Sequence, residues 1–529
     1  MAKKENKTPA EELWHKDLRA TGDYAVMYDS QGEAILYNFD RRRRHWAVTK
    51  DLTIKTNVWR FLKKHPGYAT NTNTKNCSAI THLEVADCGK VLSKSDGVLI
   101  STKNHFLDIQ PSGRVRLIHK DDLQFQGKEY FTPIYIDVDL STRVKPGQAW
   151  YTPKKNEEIE DLSKGGLLAQ LIHSGFPLEE NRRCFQEFFG DTLNPTLRKA
   201  FPILIGPPDG GKSQFLELLL CIQTNSFGGN LSALQGFDLE SYIGKSLIAF
   251  DEFEETVNDQ AFKRLVGGAQ INIARKFLPS ISIKPDFKMF GCCNKLPNFS
   301  DKSGAIDVRI YPIWVEGNKG PVVFEIAKRI WKEQPIDLLD WAINGAVSVI
   351  LRGRILKHDE MPEASKAVSN QLKEKINPAL VWIEDVGMEM TEGEEYISKD
   401  ELYQKFIEWA IREGRQFLKN ISKANFFKDN FYPAMQSLMP DYDQSLEKKL
   451  SFNYGRESKR QIACPLRLTN EVGVNQKVII NDPLISNVTP IKKEIEQPKE
   501  KTVVKFHELE YDDNKEWEEA LGKAFGEDQ

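Results

Sequence analysis

The sequence predicts an α/β fold built around a phosphate-binding loop, with an N-terminal α+β region and a C-terminal winged-helix-like unit. Three observations lead there. Gly206-Pro-Pro-Asp-Gly-Gly211-Lys212-Ser213 matches the spacing GxxxxGK[ST] without a gap. An apolar run, Phe201-Pro-Ile-Leu-Ile205, enters this loop, and an amphipathic stretch over 214–220 leaves it. Strand-like runs then recur at 246–250, 271–275 and 288–293 with helical patterns between them, the rhythm of a sheet layered with helices.

A chain of 529 residues is too long for one hydrophobic core. The expected division is an N-terminal α+β domain over 1–155, a helical collar over 156–200, the loop-bearing core over 201–355, a winged-helix-like domain over 376–470 and a disordered acidic tail over 480–529. In the first region, alternation in Glu33-Ala-Ile-Leu-Tyr-Asn-Phe39 and Arg114-Val-Arg-Leu-Ile118 predicts strands. Between them, Arg41-Arg-Arg-Arg44-His45 reads either as a DNA-contacting loop or as a solvated hairpin turn, and short charge runs favour the turn. Helical spacing returns over 157–200, through Leu162, Leu167, Leu168, Leu171 and Ile172 and again through Cys184, Phe185, Phe188 and Phe189. Further helices are expected over 323–351.

Composition narrows the function classes. No apolar run reaches 18 residues, so no membrane span is expected. The polar first twelve residues lack an apolar signal segment. The seven cysteines form no CxxC pair, which argues against a zinc ribbon and fits a reducing cytoplasm. The net charge of −3 conceals an acidic tail: residues 481–529 hold 13 acidic and 7 basic side chains, leaving 66 basic against 63 acidic elsewhere. With so small a basic excess, any contact with nucleic acid must come from local patches or from a ring that concentrates charge.

The loop chemistry requires its residue types. Glycines let backbone N–H groups turn onto phosphate oxygens where a side chain would collide, and the following helix N-terminus adds partial positive charge. Gly206, Pro207, Pro208, Asp209, Gly210, Gly211, Lys212 and Ser213 are therefore the candidate nucleotide-binding set. Lys212 would reach the β and γ phosphates, and the Ser213 hydroxyl would serve Mg²⁺. A second strand ends in Asp251-Glu252, which places Asp251 for the metal and Glu252 for polarising an attacking water. A third strand ends at Asn294, a polar tip able to orient that water against the γ-phosphate.

Taken together, Phe262-Lys-Arg-Leu-Val-Gly-Gly268, Ile271-Asn-Ile-Ala-Arg275-Lys276-Phe277, Phe287-Lys-Met-Phe-Gly-Cys-Cys-Asn294-Lys-Leu-Pro297 and Asp307-Val-Arg309 resemble the superfamily 3 helicases, and within them the phage and plasmid primase C-terminal group related to poxvirus-type primase-helicases. The resemblance covers residues 155–320 well, is looser over 90–155 and is weakest before residue 90. It implies an AAA+ fold, a homohexameric ring, ATP with Mg²⁺, and translocation on single-stranded and forked DNA, usually 3′ to 5′. It assigns Arg309 as a finger reaching the next subunit's nucleotide, and Lys276 and Phe277 as the tip of a DNA-contacting hairpin, although some relatives carry histidine where Phe277 stands. Arg275, Lys284 and Lys288 would line that hairpin or stand as exposed strand charges. A phage-encoded chain of this kind would work in the host cytoplasm. Many relatives carry an upstream primase module. Here the acids in Ile136-Asp-Val-Asp-Leu140 read as the solvated face of a strand, and no primase activity is expected.

In the C-terminal region, helical patterns at 379–390, 399–412 and 423–438 precede two strand-like runs around Gly455, the outline of a winged helix. Lys428 on the third helix and Lys459 and Arg460 on the wing are candidates for duplex contact. Four aromatics on that helix, Phe426, Phe427, Phe431 and Tyr432, equally suit a packing role. In the tail, Trp517, Leu521 and Phe525 form one helical stripe, suited to a groove on a replication partner or to packing on the chain itself. Three functions stay in competition: a replicative helicase, an origin-binding initiator that melts DNA, and a P-loop switch or kinase that turns over no faster on DNA.

Overall fold

The computed structural model describes residues 8–469, apart from 29–33, 89, 92–96, 121–133, 197, 230–235, 252–256, 276–277, 286, 318–322, 392–394 and 455–456. The acidic tail and its Trp517, Leu521 and Phe525 lie outside the described residues.

The chain is mixed α/β, with one all-parallel sheet and several smaller sheets that are largely antiparallel. The parallel sheet has five strands: β1 (Phe201–Ile205), β2 (Ser226–Gly229), β3 (Leu247–Asp251), β4 (Lys288–Cys293) and β5 (Ile310–Trp314). Their order across the sheet is β2-β3-β4-β1-β5. All five residues of β1 and all six of β4 are buried, as expected of central strands covered on both faces. Alternate residues serve the two faces. Leu204, Leu247, Phe290 and Ile313 pack among helices Leu167–Gly175, Glu179–Asp191, Lys212–Ile222 and Pro335–Arg352. Ile203, Ile248, Met289 and Cys293 pack on the opposite side with Phe262, Leu265 and Val266 of helix Asp259–Gly267.

Two glycines set the closest helix crossing. A Cβ on Gly190 would stand 2.2 Å from the Ala346 nitrogen, and one on Gly345 would stand 2.0 Å from the Gln186 carbonyl oxygen. Helices Glu179–Asp191 and Pro335–Arg352 therefore pack backbone to backbone, which fixes the layer behind β1. The upstream antiparallel sheet (Val98–Ser101, His105–Ile109, Val115–His119 and Trp150–Tyr151) is tied to the same layer. Fully buried Asp340 accepts from Tyr151 Oη at 2.5 Å, Arg143 Nη2 at 3.2 Å and the Lys154 nitrogen at 3.1 Å.

Several expected elements need correction. The segment before β1 is helical only to Asp191, because the described residues from Thr192 to Thr196 and from Arg198 to Ala200 form turns, bends and extended chain. Arg41–Arg44 needs none: it is the turn that the short charge run favoured, between strands Ala34–Asp40 and His45–Val48, with Arg41, Arg42 and Arg43 exposed and Asp40 Oδ1 accepting from the nitrogens of Arg42 and Arg43. Ile136, Val138 and Leu140 are buried while Asp137 and Asp139 are exposed, but the segment is extended chain outside any named strand. The most consequential correction concerns Lys288. It is buried rather than an exposed strand charge, and its Nζ meets Asp191 Oδ2 at 2.6 Å.

Toward the C-terminus, helices Pro378–Val386 and Lys399–Arg412 and a helical stretch over 423–438 surround their own core of Trp382, Phe406, Trp409, Phe426 and Phe431. The first helix stops short of the expected 390. Gly387 caps it in the left-handed conformation, and Met388–Met390 becomes a strand paired with Leu466–Leu468. A π-helical turn, Phe426–Phe431, interrupts the third. The hairpin Lys448–Tyr454 with Glu457–Cys464 follows, and Ile397–Ser398 adds a third strand to it. Among the described residues, no helix is long and apolar enough to cross a membrane.

Candidate nucleotide site

The loop leaves β1 at Gly206, where a Cβ would stand 2.2 Å from the Val315 carbonyl oxygen, so only glycine fits between β1 and the end of β5. Asp209 (φ 58°) and Gly211 (φ 80°) take left-handed conformations, which fold the chain into a tight cradle and start helix Lys212–Ile222. Lys212 is buried, and its Nζ donates back across the loop to the carbonyls of Gly206 at 3.1 Å and Pro207 at 2.6 Å. The lysine thus bridges the entry of its own loop, with the ammonium held where the chain has curled around it.

Sheet order brings the other candidates to this loop. Because β4 lies between β1 and β3, the C-terminal ends of the three strands form one row: the loop, then Asn294, then Asp251. Ser213, on the first turn of the loop helix, donates its hydroxyl to Asp251 Oδ1 at 3.2 Å. The Cys292 thiol donates to the same oxygen at 2.8 Å. Neighbouring Cys293 packs toward the opposite face, where burial pushes its thiol up to about 12. The hydroxyl and the carboxylate make a hard oxygen pair of the kind that suits Mg²⁺, and Ser213 and Asp251 are the residues able to hold it.

A cavity of about 1020 Å³ opens here, bounded by Pro208 to Gln214, Asp251, Cys292 and Asn294. Small-molecule pockets run to about 1,000 Å³, so the space admits a nucleoside triphosphate. Its second wall was not foreseen from sequence. Leu162, Leu171, His173, Ser174 and Pro177 supply it from the helices before β1, with Val323 and Ile326 from beyond β5. The apolar spacing of 162–172 foretold a helix there but carries no signal of which cavity that helix borders.

Of the predicted site residues, Pro208 to Ser213, Asp251 and Asn294 line the cavity, while Gly206 and Pro207 lie at the loop's entry and meet Lys212 Nζ through their carbonyls. Glu252 lies outside the described residues. Arg309 does not line the cavity. It ends the 3₁₀ turn Asp307–Arg309 before β5, and its Nη1 donates to the Ala305 carbonyl. Beside it, Asp307 is buried, its Oδ1 has no hydrogen-bond partner, and burial raises its carboxyl to about 6. Ile271–Arg275 and Leu278–Ile283 form an antiparallel hairpin separate from the parallel sheet, and its tip residues Lys276 and Phe277 fall outside the described residues. Lys284, just past the hairpin, is exposed. Lys428 is exposed on the π turn, and Lys459 and Arg460 are exposed on the second strand of the C-terminal hairpin.

A family model described as a family of unknown function (DUF5906) matches residues 204–309. No curated protein matches the chain. Among solved structures, "The A form apo structure of NrS-1 C terminal region-CTR" is similar at 13% identity and a TM-score of 0.44, covering 87% of this chain and 99% of that one. "The apo structure of NrS-1 C terminal region (305-718)" is similar at 11% identity and a TM-score of 0.43, covering 87% and 100%.

Proposed function

We propose that the chain hydrolyses ATP with Mg²⁺ and couples that hydrolysis to movement along single-stranded DNA, as a homohexameric ring helicase of the superfamily 3 type that replicates a phage or mobile element. The observation that carries this reading is the junction of Ser213 with Asp251 at the edge of a cavity lined by Pro208 to Ser213 and by Asn294. In this reading the sheet and loop are an AAA+ P-loop core. Lys212 and the loop nitrogens hold the phosphates, Ser213 and Asp251 hold Mg²⁺, Glu252 polarises the attacking water and Asn294 orients it. Bound there, the metal would offset phosphate charge.

Two further features favour a motor over a switch or kinase. Arg309 stands on a turn away from the cavity of its own protomer, the placement required of a finger that serves a neighbour's nucleotide. The strands Ile271–Arg275 and Leu278–Ile283 form their own two-stranded sheet, which suits a channel hairpin whose Lys276 pairs with phosphate and whose Phe277 presses on sugar or base, with Arg275 in support. The C-terminal three-helix unit with its hairpin is read as a winged helix, with Lys428, Lys459 and Arg460 on its exposed surface meeting duplex DNA.

The test is turnover and strand separation on a forked duplex. Lys212→Ala loses both, and Lys276→Ala with Phe277→Ala loses strand separation and DNA stimulation. Full-rate hydrolysis by a monomer, indifferent to added oligonucleotide, would overturn the motor and leave the switch or kinase reading.

A further inference from the structure

The second wall of the cavity carries three polar side chains, Gln170, His173 and Ser174. Each directs a hydrogen at the chain's own backbone. Gln170 Nε2 donates to the Gly165 carbonyl at 3.1 Å, and Ser174 Oγ donates to the Leu171 carbonyl at 2.8 Å. His173 Nε2 lies 3.0 Å from the Glu160 carbonyl oxygen. A carbonyl oxygen only accepts, so the proton of this ring sits on Nε2, and Nδ1 of the neutral imidazole keeps its lone pair. The acceptors left for a ligand are Gln170 Oε1, His173 Nδ1 and Ser174 Oγ, beside the second hydrogen of the Gln170 amide. Leu171, Pro177 and Ile326 give the same wall an apolar surface. Gln214, on the loop helix, also lines the cavity and is fixed the other way round. Its Oε1 accepts from the Ala327 nitrogen at 3.3 Å, so its amide nitrogen stays a donor.

A cavity with these acceptors and apolar side chains on one wall, and the Gln214 amide nitrogen also lining it, suits a heterocycle bearing an exocyclic amino group beside a ring nitrogen. We propose that this wall selects the base of the bound nucleotide by its amino group, with His173 as the specificity-determining residue. Adenine has that pattern. A base carrying hydrogen where adenine carries its amino group leaves the acceptors without a donor, and a site built to hydrogen-bond an N–H discriminates against the analogue that lacks it. The proposal rests on the nucleotide reading above and adds which part of the nucleotide is read, and by what.

The experiment measures equilibrium binding of ATP and of purine riboside triphosphate, identical but for the missing amino group, to the full chain. Inorganic tripolyphosphate serves as a competitor that reports the phosphate loop alone. The expected result is about tenfold weaker binding of the analogue, the equivalent of one well-formed hydrogen bond. His173→Phe should bring the two nucleotides to within about twofold of each other while tripolyphosphate competes as before. Equal affinity of the wild-type chain for ATP and the analogue overturns the selection by this wall and leaves the nucleotide site standing. An unchanged ratio in His173→Phe, with tripolyphosphate binding intact, removes His173 from the role. Failure of every triphosphate and of tripolyphosphate to bind overturns the nucleotide reading itself.

Discussion

The Ser213 hydroxyl reaches Asp251 Oδ1 across 3.2 Å, joining the first turn of the loop helix to the tip of a strand 38 residues further on. The Cys292 thiol meets that same oxygen from the neighbouring strand. Asp251 is thus oriented from two sides. Cys292→Ala removes one of the two donors while Cys292→Ser keeps a hydrogen at that position. Partners that orient a metal ligand are worth on the order of tenfold in metal affinity. In a Mg²⁺ titration of ATP hydrolysis, Cys292→Ala is expected to need about tenfold more metal, and Cys292→Ser to stay close to wild type. Equal behaviour of the two variants would show that the thiol merely fills space.

At the opposite edge of the sheet, Lys288 Nζ sits 2.6 Å from Asp191 Oδ2, and Arg198 Nε sits 2.9 Å from Asp191 Oδ1. Burial lowers the Lys288 ammonium, and the Asp191 carboxylate opposes that shift. Arg198 still pairs with Asp191 when Lys288 is removed, whereas removing Asp191 leaves the buried Lys288 ammonium without compensation. Asp191→Ala is therefore expected to destabilise the chain by about 3–5 kcal/mol, the usual result of leaving a buried charge unpaired. Lys288→Met with Asp191→Leu should recover part of that loss. Denaturant titration of wild type and the two variants measures both effects.

These residues also show where sequence reading stops. The loop was legible because its information is contiguous: glycine spacing, lysine and serine lie within eight positions, and the strand and helix beside them follow from apolar spacing. Asp251 and Asn294 were legible because each directly follows a buried strand run. Lys288 was not, since one charge at the start of an apolar strand looks solvated until its partner is known, and Asp191 lies 97 residues away. The wall built from Leu162, His173 and Pro177 was invisible for the same reason: it exists only once helices before β1 dock against the segment after β5. Gly387 did carry a local signal for ending its helix, but the apolar pattern of Met388 and Met390 outweighed it.

Asp307 gives a pH dependence with a definite sign. Burial raises its carboxyl from 3.8 to about 6, the opposing influence of Lys373 being smaller, and its Oδ1 has no hydrogen-bond partner. A carboxyl raised in the folded state favours folding while protonated. That contribution is complete below the unfolded value near 3.8 and is lost as pH rises through about 6. Asp307→Asn, which cannot ionise, should therefore match wild type near pH 4 and exceed it at pH 8, by up to about 3 kcal/mol on the scale of 1.36 kcal/mol per pK unit. Thermal or denaturant midpoints of the two chains across that range test it. A gap that is constant with pH would place the carboxylate in a solvated or paired setting.

Arg309 lies two residues beyond Asp307 on the same turn, and its Nε is a buried donor without a partner. Its Nη1 is engaged by the Ala305 carbonyl, so within one protomer the guanidinium stabilises its own loop and stays clear of the cavity. If it acts on a neighbour's triphosphate, its removal leaves each pocket able to bind and unable to turn over. Arg309→Ala is then expected to keep ATP affinity within about twofold and to lose turnover by about 10³-fold or more, the scale found for arginine fingers supplied from another chain. A finger acting within its own protomer would predict the same for the pure variant, so mixing decides between them. When wild type is mixed with Arg309→Ala, a finger in trans silences wild-type pockets seated beside a variant subunit, and activity falls faster than the wild-type fraction. Activity that falls in strict proportion to that fraction would place Arg309 in its own protomer's service and remove the interdependence of neighbouring pockets on which the ring mechanism rests.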